Sequence, residues 1–305
     1  MEKNILITGG TGLVGTRLAE MLMEKGYSVN FLSRQAAEGK IKKYRWDLKT
    51  RYIDETALKT ADYIINLAGA GVFDKRWSAK YRQEIMNSRV DSTSLLYEKL
   101  SFLPHNVKAF ISASAIGIYG YDTGDEWQTE NSQYGKGFLS EVTKNWETAV
   151  LPIEKLGIRT VTIRIGIVLS DKGGSLKELS KPITHFIGSP MGRGSQYVSW
   201  IHIDDLCRMF IYALENANMG GVYNAVAPDP VSNEALTKEI ASVLKKPLWL
   251  PNLPSFLLKG ILGSEKAMVL LGGNRVSSKK IVEHGFKFNY PNLKLALANL
   301  FKNNK

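Results

Sequence analysis

Short apolar runs alternate with amphipathic stretches through the first 165 residues: NILITG, LVGTRLAEMLMEKG, SVNFLS, ADYIINLAG, a long helical segment, KAFISAS, a second helical segment and RTVTIRIGIVL. Strand-length runs separated by helix-length ones predict a parallel sheet with helices on both faces, because parallel strands need long crossovers and bury both of their sides. In the long helical segment Met86, Val90, Thr93, Tyr97 and Leu100 recur at steps of four and three, which lays one stripe against the sheet. Beyond about residue 170 the pattern loosens into glycine-rich DKGGS and SPMGRGSQ, a strand-like YVSWIHI, a helix from Asp204 to Ala217, and GGVYNAVAPDP; KKPLWLPNLP and SSKKIVEHGFKF follow. The expected fold class is therefore α/β: a doubly wound parallel sheet over residues 1–170, with segments returning from 195–228, and a smaller C-terminal α/β lobe made mainly of 171–305. In such sheets ligands sit at the carboxyl ends of the strands, so a cleft between the two lobes is the expected site.

With 305 residues and 44% hydrophobic content the chain can bury a sizeable core. No run reaches the roughly 18 uninterrupted apolar residues of a membrane span, and MEKNILITGG enters a strand without a signal pattern, which points to a cytoplasmic protein with no membrane partner. The single cysteine, Cys207, lies in the apolar DLCRMFIYAL and reads as buried packing. The net charge of +11 is spread over scattered lysines with no block of like charges, so no nucleic-acid partner is expected. A basic surface of this kind draws in anionic small molecules. The four histidines, at 105, 185, 202 and 284, lack zinc-type spacing, and no metal is expected.

The stretch TGGTGLVG places Gly9, Gly12 and Gly15 directly after a strand and at the opening of a helix. Glycine suits a turn of unusual dihedrals, and the absence of a Cβ lets a pyrophosphate approach the backbone at the helix N-terminus. The residues expected to hold a dinucleotide here are Gly9, Thr11, Gly12, Leu13, Val14 and Gly15. At the end of the second strand, VNFLSRQ carries Ser33 and Arg34 where NAD-binding folds put an acid on the ribose 2′-hydroxyl. A guanidinium grips phosphate oxygens in a bidentate, charge-assisted way, so the expected cofactor is NADP(H) rather than NAD(H).

This loop, RWDL at residues 45–48 and NLAGA at 66–70 resemble the short-chain dehydrogenase/reductase superfamily in its extended, epimerase-like form. GVFDKRWSAKYRQEIMNSRVDST, ISASAIGIYG, FLSEVTKNWE, RIGIVLS, SWIHIDD and RVSSKKIVEHGFKF are similar to one atypical branch of nucleotide-sugar-epimerase type, over essentially the whole chain. The resemblance implies an NADP-binding Rossmann domain followed by a substrate lobe. It places Asp47 and Leu48 at the adenine, and Leu67, Ala68, Gly69 and Ala70 beside the cofactor. The residues themselves read NLAGA as an apolar strand ending in small side chains, which permits close approach by a ligand.

In this superfamily a tyrosine exchanges a proton with the substrate, a lysine four residues later lowers the tyrosine pKa, and a serine orients the substrate oxygen. A tyrosine near pKa ~10 is a poor base unless positive charge favours its phenolate. SASAIGIYG supplies Ser114 as the catalytic serine, with Ser112 as the fallback. No Tyr-x-x-x-Lys follows. One alignment makes Tyr134 in YGKGFL the acid/base and leaves Phe138 at the lysine position; the other, preferred because FLSEVTKNWE is itself the branch's pattern, anchors on Glu147 and puts Leu139 and Thr143 at the two positions. Ser140 with Lys144, or Tyr119 and Tyr121, are the substitutes weighed.

Substrate contacts are expected from Arg76 and Trp77 in FDKRWS, an anion grip beside a flat apolar wall, and from Arg193, Gln196 and His202 in GRGSQYVSWIHIDDL. His202 also reads as a satisfied structural histidine, and Asp204 or Asp205 as the cap of the following helix. The sequence thus reads as an NADP(H)-binding oxidoreductase or epimerase acting on a small polar molecule between two lobes. The alternative is a nucleotide sensor that kept the cofactor site without turnover. The superfamily commonly pairs as homodimers through packed helices, and the helix beginning near Ser78 is the one that could serve.

Overall fold

A computed structural model describes residues 3–302. Two compact units interleave along the chain: Met1–Ser114 with Glu141–Arg164 and Cys207–Val222, and Ala115–Ser140 with Ile165–Leu206 and Tyr223–Lys305. The first is built on an eight-stranded sheet in the order Gly221–Ala225, Arg159–Ile165, Ala109–Ala115, Tyr63–Asn66, Asn4–Thr8, Ser28–Ser33, Lys42–Asp47, Tyr52–Ile53. Asn4–Thr8 pairs in parallel with Ser28–Ser33 on one side and Tyr63–Asn66 on the other, and the parallel pairing continues outward to Lys42–Asp47 and Ala109–Ala115. This is the expected α/β, doubly wound class. Its core joins Leu6, Leu32 and Ile64 of the strands to Leu96 of the helix Ala79–Phe102 and to Val150 and Ile153 of the helix Phe138–Glu154.

Three features differ from the sequence pattern. The strand Lys42–Asp47, flanked on its outer side only by the two-residue strand Tyr52–Ile53, hides in the charged run KKYRWD, yet Tyr44 and Trp46 alternate into the core while Arg45 faces water. RTVTIRIGIVL is two strands, Arg159–Ile165 and Ile167–Leu169. The break falls at Gly166, whose amide donates to Ala225 O and where a Cβ would lie 2.5 Å from Ser199 O. On the long helix the fully buried positions are Tyr81, Ile85, Ser92, Thr93, Leu95, Leu96 and Leu100, whereas Met86, Val90 and Tyr97 are only half-buried. The polar pair can face inward because Ser92 and Thr93 both return their hydroxyls to the Arg89 carbonyl at 2.9 Å.

In the second unit Ile167–Leu169 pairs in parallel with Trp200–His202, Tyr197–Val198 runs antiparallel to Val231–Ser232, and Trp127–Gln128 runs parallel to Arg275–Val276. YVSWIHI is interrupted at Ser199, whose hydroxyl donates to Asn274 O and accepts from Val276 N. The helices Ser175–Thr184, Asn233–Leu244, Ser255–Leu262, Ser264–Leu271, Lys279–Glu283 and Leu293–Lys302 also belong to it. Cys207 is fully buried. Among the described residues no helix is long and apolar enough to cross a membrane.

Candidate functional site

The glycine loop connects Asn4–Thr8 to the helix Leu13–Glu24. Gly9 has φ +65°, and a Cβ there would lie 2.7 Å from Leu67 O; one at Gly10 would run into the Phe31 ring, and one at Gly15 would meet Gly9 O at 2.5 Å. Gly12, by contrast, would meet only Gly9 O, at 3.3 Å. The Gly12 amide donates to Gly9 O at 3.0 Å and closes the turn. Gly12 then caps the helix without any side-chain hydrogen bond, and no acidic residue stands in the first turn. The leading N–H groups and the positive end of the helix dipole are left for an outside anion, beside exposed Thr11 and half-buried Leu13 and Val14.

The other sequence-predicted cofactor residues gather on the same edge of the sheet. Strand register sets Thr8 beside Leu32 and Asn66, Asn66 beside Ser112, and Ser33 beside Arg45, so these positions are the carboxyl ends of adjacent parallel strands. Ser33 is half-buried and Arg34 exposed. Asp47 accepts the Lys49 amide at 2.9 Å, and backbone hydrogen bonding of this kind holds its carboxyl below the usual range. Leu48 packs on the core. Leu67 and Ala68 both donate their amides to Thr8 Oγ1 at 3.1 Å, which fixes the start of the Leu67–Ala70 loop. Arg76 is exposed, while Trp77 folds back and donates its indole N–H to Val72 O at 2.8 Å, with Arg82 over its ring.

Ser114 is the penultimate residue of the strand Ala109–Ala115 and 2% exposed, and its hydroxyl donates to Glu147 Oε1 at 2.6 Å. Glu147 is clamped in turn by Arg164, Nε to Oε1 and Nη2 to Oε2, both at 2.8 Å, with Arg164 itself 2% exposed. The serine proton therefore points at a carboxylate, and its lone pairs are what remain for a ligand. Sequence reading used Glu147 only as an alignment anchor and missed Arg164. The available signal was an arginine inside the apolar strand RTVTIRI, since a buried cation needs an anion. Ser112 is fully buried with its hydroxyl on Ala113 O.

Residues of the second unit have the following settings. Tyr134 lies in the loop before the helix Phe138–Glu154 and is 51% exposed. The Ser140 hydroxyl sits between the carbonyls of Ile118 and Gly135, at 2.9 and 2.8 Å. Tyr119 is buried and donates to Asn224 Oδ1 at 2.6 Å, and Tyr121 donates to Glu265 Oε1 and accepts the Phe138 amide. Arg193 pairs with Asp122 at 2.7 Å and lines a cavity of about 440 Å³ with Gly192, Pro254, Ser255, Phe256 and Leu271. Gln196 is buried with its amide on Met191 O and Leu270 O. Asp204 and Asp205 fall inside the first turn of the helix Ile203–Glu215, and Asp205 receives the amides of Asn289 and Tyr290.

His202 is buried, stacked on Tyr290 at 3.8 Å, with Nδ1 accepting the Asp204 amide and Nε2 facing Asn299 Oδ1 at 3.2 Å. That pattern fits the neutral ring, and burial pushes its pKa below the ordinary value.

Two outcomes follow from these settings. Glu147→Gln leaves the Arg164 cation buried without its anion and should cost about 3–5 kcal/mol in urea unfolding, against about 1 kcal/mol for Ser114→Ala. For His202, the unfolded chain binds more protons than the folded one between the lowered pKa and about 6.5, so stability is full above that window and falls as pH drops through it. His202→Gln should flatten this part of the stability-against-pH curve measured between pH 7.5 and 5.

The model of the "NAD dependent epimerase/dehydratase family" matches residues 5–226, and a domain of unknown function, DUF1731, matches 253–300. "Epimerase family protein YfhF" of Bacillus subtilis (strain 168) is 37% identical over 305 residues, 99% of each chain. A Staphylococcus aureus (strain NCTC 8325 / PS 47) epimerase family protein is 35% identical, over 98% of this chain and 99% of its own. Among solved structures, the human epimerase family protein SDR39U1, crystallised with NADPH, superposes with a TM-score of 0.90 at 29% identity, covering 98% of this chain and 99% of that one. The nucleoside-diphosphate sugar epimerase of Corynebacterium glutamicum gives a TM-score of 0.79 at 32% identity, over 98% of this chain and 58% of that one. The chain belongs to the NAD dependent epimerase/dehydratase family.

Proposed function

We propose that this protein binds NADP(H) at the glycine loop and acts as an oxidoreductase or epimerase on a small polar substrate. The observation that carries the reading is the uncapped helix N-terminus behind a loop in which Gly9, Gly10 and Gly15 have no room for a side chain. Those leading amides would take the pyrophosphate, Ser33 and Arg34 the 2′-phosphate, and Asp47 and Leu48 the adenine. The small residues Ala68, Gly69 and Ala70 would allow close approach. When bound, the nicotinamide supplies or accepts a hydride. The cofactor preference is supported by the human relative solved with NADPH and by Arg34 standing where an acid would favour NAD.

Around the reacting carbon, Ser114 would offer its lone pairs to a donor on the substrate. Tyr134 is the tyrosine available for proton transfer, and Arg76, Trp77, Arg193, Gln196 and His202 are the proposed substrate contacts. A second reading, a nucleotide sensor without turnover, is favoured by one observation: the Ser114 proton is given to a buried, arginine-paired carboxylate.

Deuterium transfer separates the two. The protein is incubated with a cell metabolite extract and NADPH deuterated at either face of nicotinamide C4, and products are searched by mass spectrometry. A deuterated product absent from the protein-free control is expected. Label that stays on NADPH from both faces, with NADPH binding confirmed, contradicts net reduction and leaves the sensor or an epimerase that returns its hydride to the same molecule.

A further inference from the structure

The loop that leaves the strand Tyr63–Asn66 is tied to one face of the helix Ala79–Phe102. Ser88 Oγ accepts the Ala70 amide at 2.9 Å, Arg89 Nη1 donates to Ala70 O at 3.0 Å, and the Tyr81 hydroxyl donates to Gly71 O. Positions 81, 88 and 89 share a helix face, so the loop is held at three successive polar groups.

Arg89 is the unusual member of this set. Its Nη1 also donates to Ile85 O at 3.0 Å, and its guanidinium lies 5.3 Å from the Trp146 ring centroid. Among the described residues no carboxylate pairs with it, and its Nε and Nη2 meet no acceptor. Gly69 keeps this group uncovered: a Cβ at 69 would lie 2.9 Å from Arg89 Cζ, 3.1 Å from Nη2 and 3.2 Å from Nε. Burial pushes the guanidinium pKa down to about 10, so it remains a cation at neutral pH. A partly dehydrated cation that meets two carbonyls and no carboxylate among the described residues carries an electrostatic cost that an anion would offset. The contrast with Arg164, whose Nε and Nη2 grip both oxygens of Glu147, shows what the same edge of Arg89 can take.

We infer that Arg89 is an oxyanion-binding residue whose Nε–Nη2 edge receives a carboxylate or phosphate of the small molecule bound beside Gly69. This deepens the functional reading and rests on it: the ligand of this edge is anionic at that point. The oxyanion belongs either to the cofactor or to a second, substrate-like molecule.

The full chain labelled uniformly with ¹⁵N reports both cases through the Arg89 Nε–Hε resonance, assigned by its disappearance in Arg89→Lys. The probes are NADP⁺, inorganic phosphate and malonate. The expected result is a saturable downfield shift of that resonance, with Arg89→Gln weakening the responsible probe at least tenfold. A shift with NADP⁺ alone assigns the oxyanion to the cofactor. A shift by phosphate or malonate in NADP⁺-saturated protein assigns it to a second ligand. A resonance unmoved by all three probes overturns the inference, and if the amides of residues 12–15 respond to NADP⁺ in the same spectra the cofactor reading survives that failure. A malonate shift with no amide response to NADP⁺ would instead overturn the cofactor reading and leave Arg89 standing.

Discussion

Thr8 makes three hydrogen bonds through one buried hydroxyl: it donates to Asn66 Oδ1 at 2.6 Å and accepts the amides of Leu67 and Ala68. Asn66 passes the connection on, its Nδ2 donating to Thr93 Oγ1 at 2.9 Å on the long helix. This polar knot sits where the two central strands end and their loops begin, so one set of side chains decides where both loops start. Gly9 backs onto the Leu67 carbonyl at a distance only a hydrogen allows, and Arg89, one helical turn from Thr93, holds the far end of the second loop. In a low-dielectric interior such a network is worth having only when its members are satisfied, and here the Thr8, Asn66 and Thr93 side chains each have hydrogen-bond partners.

Two arginines of the first unit divide the electrostatics between them. Arg164 is paired on both of its forked nitrogens with Glu147, which fastens the helix Phe138–Glu154 to the strands on which Arg164 and Ser114 lie. That arrangement closes on itself: cation, carboxylate and serine proton are all consumed by protein. Arg89 is the reverse, a cation set against carbonyls and an indole, with the three N–H donors of Nε and Nη2 meeting no acceptor among the described residues. Stability thus falls to Arg164, recognition is the role inferred for Arg89, and the serine that superfamily resemblance nominates for catalysis lies with the first.

Much of the fold was legible because the hydrophobic period changes from two to 3.6 at each strand–helix junction, and the glycine loop because strand, glycines and helix follow one another without interruption. KKYRWD escaped because a strand near the rim of the sheet needs only alternate apolar residues, Tyr44 and Trp46, and its charges read as loop. The stripe chosen on the long helix missed Ser92 because a serine that returns its hydroxyl to its own helix can be buried without a partner elsewhere. Glu147 and Arg164 are 17 residues apart on different elements, so nothing local links them. Gly69 and Arg89 carry no mutual signal either. Their relation exists only once the loop crosses the helix. Arg34, by contrast, is legible as a residue type at a strand end, since its meaning depends on the position alone.

The most direct measurement is calorimetric titration of the protein and of Arg34→Ala with NADPH and with NADH. The expected result is tighter binding of NADPH, with Arg34→Ala weakening NADPH by about 10–100-fold, the worth of one charge-assisted contact, and leaving NADH unchanged. Equal affinity for the two cofactors, or an Arg34→Ala variant that binds NADPH as tightly as the parent, would contradict the assignment of this edge to NADP(H).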